Sequence, residues 1–338
     1  MRVFACLWCL ILSFAANAQQ ARLVLPVGHV EKIQNLQFSP DGKWLLTNAE
    51  NTKIWEASSG KVLYTFDGRW PVSCGTFSPD GQLIATVREN TVYLWKFSTG
   101  TLLDTLSFPK NSMVSGLRFS PGGKFLVVRD CYRALIFDLA TRKPLATLTG
   151  HLECFEDVRF SPDERWVVTS SDDGTATVWD LATGKVLHTL TGHMAYISSL
   201  EISPDGQFVS TTAMDSTAKI WDPASGALIR TIQGQRSATF SPDGKFLLTC
   251  WGDSARLYAV PSGTLIRSYG HTMEVLSAHF SPDGQYVVTS AREGKARVWE
   301  LATGRLIQSF GHSDEVDNAL FSPDGQFIAT SYGKAAQV

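Results

Sequence analysis

The residues of this chain best suited to chemistry are histidines that follow a glycine, because imidazole is a common metal ligand. Five of the seven histidines have this context, namely His29, His151, His193, His271 and His312. Each belongs to a different repeat of the sequence, so none has the short ligand spacing of a zinc site. We therefore expect these histidines to be structural, and we expect no bound metal.

The sequence also lacks the local motifs that mark common enzyme classes. It contains no Gly-x-Ser-x-Gly elbow, no phosphate-binding loop and no His-Glu-x-x-His site. Lys and Arg number 30 against 32 Asp and Glu, so no excess of positive charge attracts nucleic acid or an anionic membrane. We expect no catalytic residues, no cofactor and no nucleic-acid partner.

The N-terminus has the pattern of a secretory signal peptide. Met1-Arg2 gives a basic start, residues 3–15 are apolar, and Ala16-Asn17-Ala18 matches a cleavage site. The apolar run is too short to span a bilayer comfortably, and no later stretch is suited to do so. The sequence therefore predicts a signal peptide at 1–18, a mature chain at 19–338, and a periplasmic or extracellular location.

Four cysteines remain after the signal peptide: Cys74, Cys131, Cys154 and Cys250. In an exported protein they could pair. They follow no repeated spacing, which favours buried free thiols that do not define the fold. The alternative is a disulfide between Cys131, in a loop of one repeat, and Cys154, near the start of the next.

A four-residue phrase, Ser-Pro-Asp-Gly, organises the whole chain. Its eight copies begin at Ser39, Ser78, Ser120, Ser161, Ser203, Ser241, Ser281 and Ser322. Six copies are intact, the copy at Ser120 reads Ser-Pro-Gly-Gly, and the copy at Ser161 reads Ser-Pro-Asp-Glu. A period of roughly 40 residues is typical of repeat architectures.

Residues 151–190 illustrate the repeat. Short apolar segments alternate with turn signals, among them Ser161-Pro162-Asp163-Glu164 and Asp172-Asp173-Gly174, and no segment has a helical period. Four short antiparallel strands fit this pattern, so the fold class is all-β.

Two further recurring dipeptides resemble those of the WD-repeat β-propeller family, here of the type that bacteria export. One is the Gly-His pair, and the other is an aromatic residue at the end of the third strand in seven of the eight units. The second set reads Trp55-Glu56, Trp95-Lys96, Phe137-Asp138, Trp179-Asp180, Trp221-Asp222, Tyr258-Ala259 and Trp299-Glu300.

The resemblance implies a closed ring of four-stranded antiparallel blades. Eight Ser-Pro turns predict eight blades, with seven as the alternative if the last unit does not dock. The eighth unit reaches only its third strand at Val338, and residues 22–29 match the fourth strand that begins at Arg305. We expect the N-terminal strand to complete the last blade and so remove an exposed edge.

In this family each such histidine is hydrogen-bonded to an Asp in the turn between the second and third strands, and the network continues to a Ser or Thr and to the Trp of the repeat. Two units carry the full set, namely His151, Thr169, Asp173 and Trp179, and then His193, Thr211, Asp215 and Trp221. A third unit, with His271, Thr289 and Trp299, has Glu293 in place of Asp.

The family geometry places the loops that lead into each blade, and the turns between second and third strands, on one face. Loops on a rigid scaffold carry binding function. The candidate binding residues are Lys32, Trp70, Met113, Tyr196, Met273, Asp314, Arg88, Arg129, Met214, Trp251 and Arg292. The sixth unit lacks its histidine at residues 234–237, which predicts a notch beside Trp251.

The resemblance favours a non-catalytic, monomeric scaffold that binds a protein or peptide. One alternative is the recognition half of a longer chain with a C-terminal, caspase-like peptidase domain. Another is a propeller enzyme with carboxylates gathered at the central axis. The segment Ala182–Lys185 is similar to a motif of quinone-dependent propeller dehydrogenases. In those enzymes a tryptophan three residues after the lysine holds adjacent blades together, and here that position is His188.

Overall fold

A computed structural model describes residues 29–66, 74–108, 114–234 and 236–338. In these ranges the chain forms 31 strands and no helix. The strands make eight sheets, and in each sheet consecutive strands pair in antiparallel fashion. Seven sheets have four strands and the last has three among the described residues.

The first four blades use strands β1 to β16. Their bounds are β1 (Asn35–Phe38), β2 (Trp44–Asn48), β3 (Thr52–Glu56) and β4 (Val62–Phe66) for blade 1; β5 (Gly75–Phe77), β6 (Leu83–Arg88), β7 (Thr91–Lys96) and β8 (Thr101–Ser107) for blade 2; β9 (Gly116–Phe119), β10 (Phe125–Arg129), β11 (Ala134–Asp138) and β12 (Lys143–Leu148) for blade 3; and β13 (Phe155–Phe160), β14 (Trp166–Ser171), β15 (Ala176–Asp180) and β16 (Val186–Leu190) for blade 4.

The other four blades use strands β17 to β31. Their bounds are β17 (Ile197–Ile202), β18 (Val209–Ala213), β19 (Thr217–Trp221) and β20 (Leu228–Gln233) for blade 5; β21 (Ala238–Phe240), β22 (Phe246–Trp251), β23 (Ser254–Ala259) and β24 (Leu265–Gly270) for blade 6; β25 (Val275–Phe280), β26 (Tyr286–Ala291), β27 (Lys295–Glu300) and β28 (Leu306–Gly311) for blade 7; and β29 (Val316–Phe321), β30 (Ile328–Tyr332) and β31 (Ala335–Gln337) for blade 8.

The blades close into a ring because blade 8 packs on blade 1. The Ile33 N–H donates to the Gly333 carbonyl at 3.0 Å, and one apolar cluster joins Trp55 of blade 1 to Ala329 and Ala336 of blade 8. The eight-bladed prediction is confirmed and the seven-bladed alternative is wrong. The predicted closing strand at residues 22–29 lies, apart from His29, outside the described residues.

The core of the protein lies between neighbouring blades. The cluster between blades 3 and 4, for example, packs Ile136 of β11 and Leu148 of β12 against Phe155 and Trp179 of blade 4. Second strands are the most buried, whereas the fourth strand of each blade alternates exposed and partly buried residues at the outer rim. Burial of third-strand aromatics such as Trp55 and Trp179 adds apolar stabilisation to the contacts between blades in which they lie.

The Ser-Pro turn holds the first strand of a blade to its second. In blade 1 the Gly42 N–H donates to the Ser39 carbonyl at 2.9 Å, and Gly42 has a φ of 71°. The Ser39 hydroxyl donates to Asp41 at 2.6 Å and accepts the Trp44 N–H at 3.0 Å. Glycine is favoured at the last position because a side chain at positive φ is strained.

The two imperfect copies of this turn are neighbours in space and complement each other. Glu164, at the glycine position of blade 4, has a φ of 56°, and its carboxylate accepts the Gly122 N–H of blade 3 at 2.6 Å. A Cβ on Gly122 would lie 2.9 Å from the Glu164 carboxylate. An Asp at position 122, as in the intact phrase, would therefore place a second negative charge beside Glu164.

We predict that Gly122→Asp alone lowers the free energy of unfolding by about 1–2 kcal/mol, because like charges meet and a hydrogen bond is strained. Glu164→Gly alone should change stability little, since the lost hydrogen bond is offset by relief of positive φ. The double variant, which restores both phrases, should be close to wild type. Denaturant unfolding of the four proteins measures the coupling; strictly additive effects would contradict this interpretation.

The cysteine expectation needs correction. A disulfide joins Cys131, in the turn between β10 and β11, to Cys154, just before β13, with 4.2 Å between their Cα atoms. Cys74 and Cys250 remain free thiols, and burial raises the pKa of each to about 11. The expectation of free thiols is therefore wrong for two of the four. The sequence leaves the pairing open because the disulfide forms only if two loops of different blades meet. A hydrogen bond from the Phe155 N–H to the Cys131 carbonyl, at 2.9 Å, holds these loops together.

Candidate binding face

The histidine networks shape the face that carries the loops before each first strand and the turns between second and third strands, called here the loop face. In blade 4 the Trp179 indole N–H donates to the Thr169 hydroxyl at 2.9 Å, and that hydroxyl is 2.7 Å from His151 Nε2. His151 Nδ1 lies 3.1 Å from the Asp173 carboxylate. Burial lowers the pKa of His151, although Asp173 opposes this, so the neutral ring donates from Nδ1 and accepts at Nε2.

Blade 5 repeats this chain of hydrogen bonds. Trp221 donates to Thr211 at 2.8 Å, Thr211 lies 2.8 Å from His193 Nε2, and His193 Nδ1 lies 2.9 Å from Asp215. Burial acts to raise the pKa of Asp215. Hydrogen bonds from Thr217, from the Met194 N–H and from His193 outweigh burial and lower this pKa to about 2. The four side chains therefore tie two strands, a turn and a loop into one unit.

Two more blades carry the same network. In blade 7, Glu293 replaces Asp and lies 2.8 Å from His271 Nδ1, while Thr289 accepts the Trp299 N–H at 2.8 Å. In blade 1, His29 Nε2 lies 2.7 Å from Thr47, Trp55 donates to Thr47 at 2.8 Å, and Glu50 lies 3.3 Å from His29 Nδ1.

Sequence reasoning missed the blade 1 network because its turn is shorter. His and Thr keep the same 18-residue separation as in blade 4, but Thr47 and Trp55 are 8 residues apart where Thr169 and Trp179 are 10 apart. The conserved His-to-Thr interval within this chain is the signal that would have found it.

We predict that Thr47→Val lowers the free energy of unfolding by about 1–3 kcal/mol, because it leaves the buried indole N–H and imidazole of blade 1 without a shared partner. Thr86→Val in blade 2 is the matched control, since Thr86 accepts the Trp95 N–H at 2.8 Å but its unit has no Gly-His pair. Chemical denaturation compares the two. Equal losses would mean that the histidine adds nothing to blade 1.

The carboxylate of each network also orients the residue that follows the histidine. Asp173 accepts the Leu152 N–H at 2.9 Å, and Asp215 accepts the Met194 N–H at 3.0 Å. Held in this way, the Leu152 and Met194 side chains project outward and are 90% and 93% exposed. Sequence reasoning named neither residue, although the position directly after Gly-His identifies both.

The predicted binding residues divide into exposed and enclosed groups. The exposed members among the described residues are Lys32, Arg88, Tyr196, Met214, Met273, Arg292 and Asp314. Arg129 is directed inward, where its guanidinium donates to Ser115 Oγ at 3.0 Å and to the Phe155 carbonyl at 2.5 Å. Trp251 is half-buried, with the Arg256 guanidinium 5.6 Å from its ring centre. Trp70 and Met113 lie outside the described residues, as does Gln235 in the predicted notch.

One part of the loop face is neutralised by ion pairs between blades. At the contact of blades 8 and 1, Lys32 Nζ lies 2.7 Å from Asp317 and 3.0 Å from Glu315. At the contact of blades 6 and 7, Glu274 pairs with Arg236 at 2.6 Å and with Arg292 at 2.8 Å. Lys32 and Arg292 are thus committed to partners within the chain.

A second part of the loop face exposes large apolar side chains, which we call the apolar arc. It spans blades 3 to 5 and comprises Tyr132, Leu152, Met194, Tyr196 and Met214. The disulfide joins the loops that carry Tyr132 and Leu152, and the Met214 N–H donates to the Tyr196 carbonyl at 3.1 Å. The arc is therefore built on loops that are fixed to one another.

The innermost strands of blades 3 to 5 carry a separate cluster of charges. Arg159 lies 3.0 Å from Asp157 and 3.9 Å from Glu201, and Arg118 lies 3.7 Å from Asp157. Burial raises the pKa of Glu201 to about 7, although Arg118 opposes the shift. The enzyme alternative requires carboxylates gathered at the central axis, and arginines lie beside these carboxylates on the first strands of blades 4 and 5. Within the described ranges, no three His, Cys, Asp or Glu residues are placed to hold a metal ion.

The repeat matches a known protein family. The WD40 family model (WD domain, G-beta repeat) matches residues 21–55, 60–96, 142–180, 184–222, 263–300 and 304–336, more than half of the chain. The chain belongs to the WD40 repeat family. The two longest unmatched stretches fall around blades 3 and 6, where the aromatic residue is Phe137 or Tyr258 in place of tryptophan.

Several curated proteins match part of this WD40 chain. Apoptotic protease-activating factor 1 of Danio rerio is 30% identical over 162 residues, which cover 44% of this chain and 13% of that protein. Eukaryotic translation initiation factor 3 subunit I of Pyricularia oryzae is 34% identical over 113 residues, 31% of this chain and 32% of that protein. The matched segments thus span well under two thirds of these relatives. Both are eukaryotic, so the bacterial, exported type stays a prediction.

Among solved structures, the computationally designed Ika8 protein matches this WD40 chain with a TM-score of 0.79 and 25% sequence identity. The match covers 92% of this chain and 96% of the designed protein. A search of the described residues finds no helix long and apolar enough to cross a membrane.

Proposed function

We propose that this WD40 propeller is a non-catalytic scaffold that binds a protein or peptide across the apolar arc. The observation that carries the proposal is the exposure of five large apolar side chains along one part of one face, with Leu152 and Met194 almost fully exposed. Folded proteins rarely leave contiguous apolar surface uncovered unless a partner binds there. Tyrosine and methionine are also among the residues enriched in interfaces.

The loops under the arc support this proposal because they are preorganised. Asp173 and Asp215 fix the backbone beside Leu152 and Met194, and the disulfide fixes the loop of Tyr132. Binding of a partner would therefore cost little conformational entropy in these loops. WD40 propellers generally serve as protein-interaction scaffolds, which is in keeping with such a surface.

We predict that Leu152→Asp combined with Met194→Asp reduces partner capture at least tenfold, because two charges enter an apolar interface. Quantitative mass spectrometry after crosslinking in an extract of the protein's own cells measures the captured partner. Thermal melting should show unchanged stability, since both side chains are exposed.

The matched control makes the same change on the outer rim, at Leu187 and Leu265, which are 48% and 50% exposed. Leu187→Asp with Leu265→Asp should capture the partner as wild type does. If the arc variant also retains its partner, the apolar arc is not the binding surface.

We further propose that the protein acts outside the cytoplasm, after loss of residues 1–18. Support comes from the Cys131–Cys154 disulfide, because disulfides persist in oxidising compartments and are rare in the cytosol.

The protein isolated from its own cells should begin at Gln19. When unfolded without reductant, it should expose two reactive thiols, Cys74 and Cys250, and four after reduction. Intact mass and thiol titration check both statements. Four thiols without reduction, or a retained Met1, would argue for a cytosolic protein.

A second candidate is that these residues are the recognition part of a longer chain, such as one with a caspase-like peptidase domain. The observation that favours it is the length of the curated relatives, since the aligned segment makes up only 13% of the Danio rerio protein. The same intact mass measurement distinguishes this candidate from a stand-alone propeller.

A further inference from the structure

One carboxylate beside the apolar arc lies in a backbone irregularity that turns it toward another carboxylate. Glu156 is the extra residue in a β-bulge of β13, between Phe155, which pairs with Ser171, and Asp157, which pairs with Ser170. Bulges commonly re-aim a side chain. Here the Glu156 carboxyl meets that of Asp172, whose own N–H donates to the Cys154 carbonyl at 3.0 Å.

These two carboxylates lack a cationic partner among the described residues. The ion pairs of the neighbouring strands involve Asp157, Arg159 and Arg118, and none includes Glu156 or Asp172. Burial and the nearby Asp172 charge both raise the pKa of Glu156. Arg129 opposes that shift from a distance, but its guanidinium is already bonded to Ser115 and to the Phe155 carbonyl.

The same position in blade 8 shows how the chain neutralises such a carboxylate elsewhere. Asp317 is the extra residue of the equivalent bulge in β29, between Val316 and Asn318. Its carboxylate lies 2.7 Å from Lys32 Nζ, a lysine that comes from blade 1, the next blade around the ring.

The counterpart of Lys32 at the contact of blades 4 and 5 is an exposed tyrosine. Residues 33–38 of blade 1 align with residues 197–202 of blade 5, each segment ending directly before a Ser-Pro turn, so Tyr196 occupies the place of Lys32. Tyr196 is 43% exposed and belongs to the apolar arc. Among the described residues, the contact that holds a lysine in one half of the ring therefore has a carboxylate pair and no ion-paired cation in the other half.

The loops that surround this position share the same negative charge. The loop-face segments 130–133, 149–154, 171–175, 191–196 and 213–216 contain five acidic residues and one basic residue, Arg133. Arg133 is itself paired with Asp130 at 3.1 Å. Of these five, Glu153 and Asp172 are exposed, so the apolar surface also carries exposed negative charge, which selects a partner of opposite charge.

We infer that the occupant of the apolar arc is a protein segment that places a Lys or Arg side chain against Glu156 and Asp172, flanked by large apolar side chains. The incoming cation takes the position that Lys32 takes beside Asp317, while its apolar neighbours cover Leu152, Met194 and Tyr196. This inference rests on the proposed function, and it adds the chemistry of the partner.

A phage-displayed library of random dodecapeptides, selected on the whole immobilised protein, tests the inference. Recovered peptides should combine Lys or Arg with aromatic or large aliphatic residues. Fluorescence anisotropy with the recovered peptides should show at least tenfold weaker binding to the Glu156→Gln, Asp172→Asn double variant. The charge-matched control, Glu31→Gln with Asp253→Asn, removes two exposed carboxylates from the other half of the loop face and should bind as wild type does.

A second variant supplies the cation from within the chain. Tyr196→Lys recreates the Lys32 arrangement, so it should fold normally and weaken the same peptides at least tenfold by occupying the carboxylate pair. Tyr196→Met, which keeps an apolar side chain, should weaken them far less.

The outcomes separate this inference from the proposed function. Peptides that are lost with Leu152→Asp and Met194→Asp, but carry no excess of Lys or Arg and ignore the Glu156→Gln, Asp172→Asn change, overturn the inference and leave the proposed function standing. Peptides that bind the arc variant unchanged, or a library that yields no binder, contradict both.

Discussion

The buried threonine hydroxyl at the centre of each histidine network is the contact on which the loop face depends. Thr47, Thr169, Thr211 and Thr289 are completely buried, and each lies between an indole N–H and an imidazole nitrogen. A hydroxyl is the one small group that can accept from the first and donate to the second. Because the imidazole then reaches the carboxylate that fixes the next loop residue, a hydrogen bond in the core sets the direction of side chains on the surface.

Where a blade lacks this network, another constraint takes its place. Blade 3 has Val128 and Phe137 at the threonine and tryptophan positions, so neither side chain can hydrogen-bond there. Its turn is held by Asp130, which accepts the Tyr132 and Arg133 N–H groups at 2.9 and 3.0 Å, and by the disulfide. The family model also leaves β9 to β11 of this blade unmatched, although the blade forms a complete four-stranded sheet. Apolar packing between blades therefore suffices for the strands, and the polar constraints chiefly serve the loops.

Features that depend on local contacts can be predicted from the sequence, whereas features that depend on contacts between distant residues cannot. Eight blades and the networks of blades 4 and 5 are readable because proline turns, histidines and tryptophans recur at intervals that depend on local geometry. The blade 1 network escapes a fixed pattern because its turn is two residues shorter, as the Thr47–Trp55 interval shows. Lys32 and Arg129 are harder still, since their long side chains find partners on the neighbouring blade, and Trp251 is covered by Arg256 of its own blade. A sequence gives no measure of where such side chains find partners.

Repetition makes the differences between blades informative about function. Eight copies of one backbone provide eight versions of each surface position, so an unbalanced group can be compared with a balanced one in the same molecule. Asp317 beside Lys32 and Glu156 beside Tyr196 are two such versions of one position. Asp317 is paired with a cation of the chain, whereas Glu156 has none within ion-pair distance among the described residues. Keeping Glu156 ionised beside Asp172 costs stability, because burial and the Asp172 charge both raise the pKa of Glu156. Lys32 balances Asp317 at the contact of blades 8 and 1, but no such cation balances Glu156 among the described residues at the contact of blades 4 and 5. That second contact lies beside the most exposed apolar residues of the ring. This is the charge distribution expected of a surface that is completed by a partner.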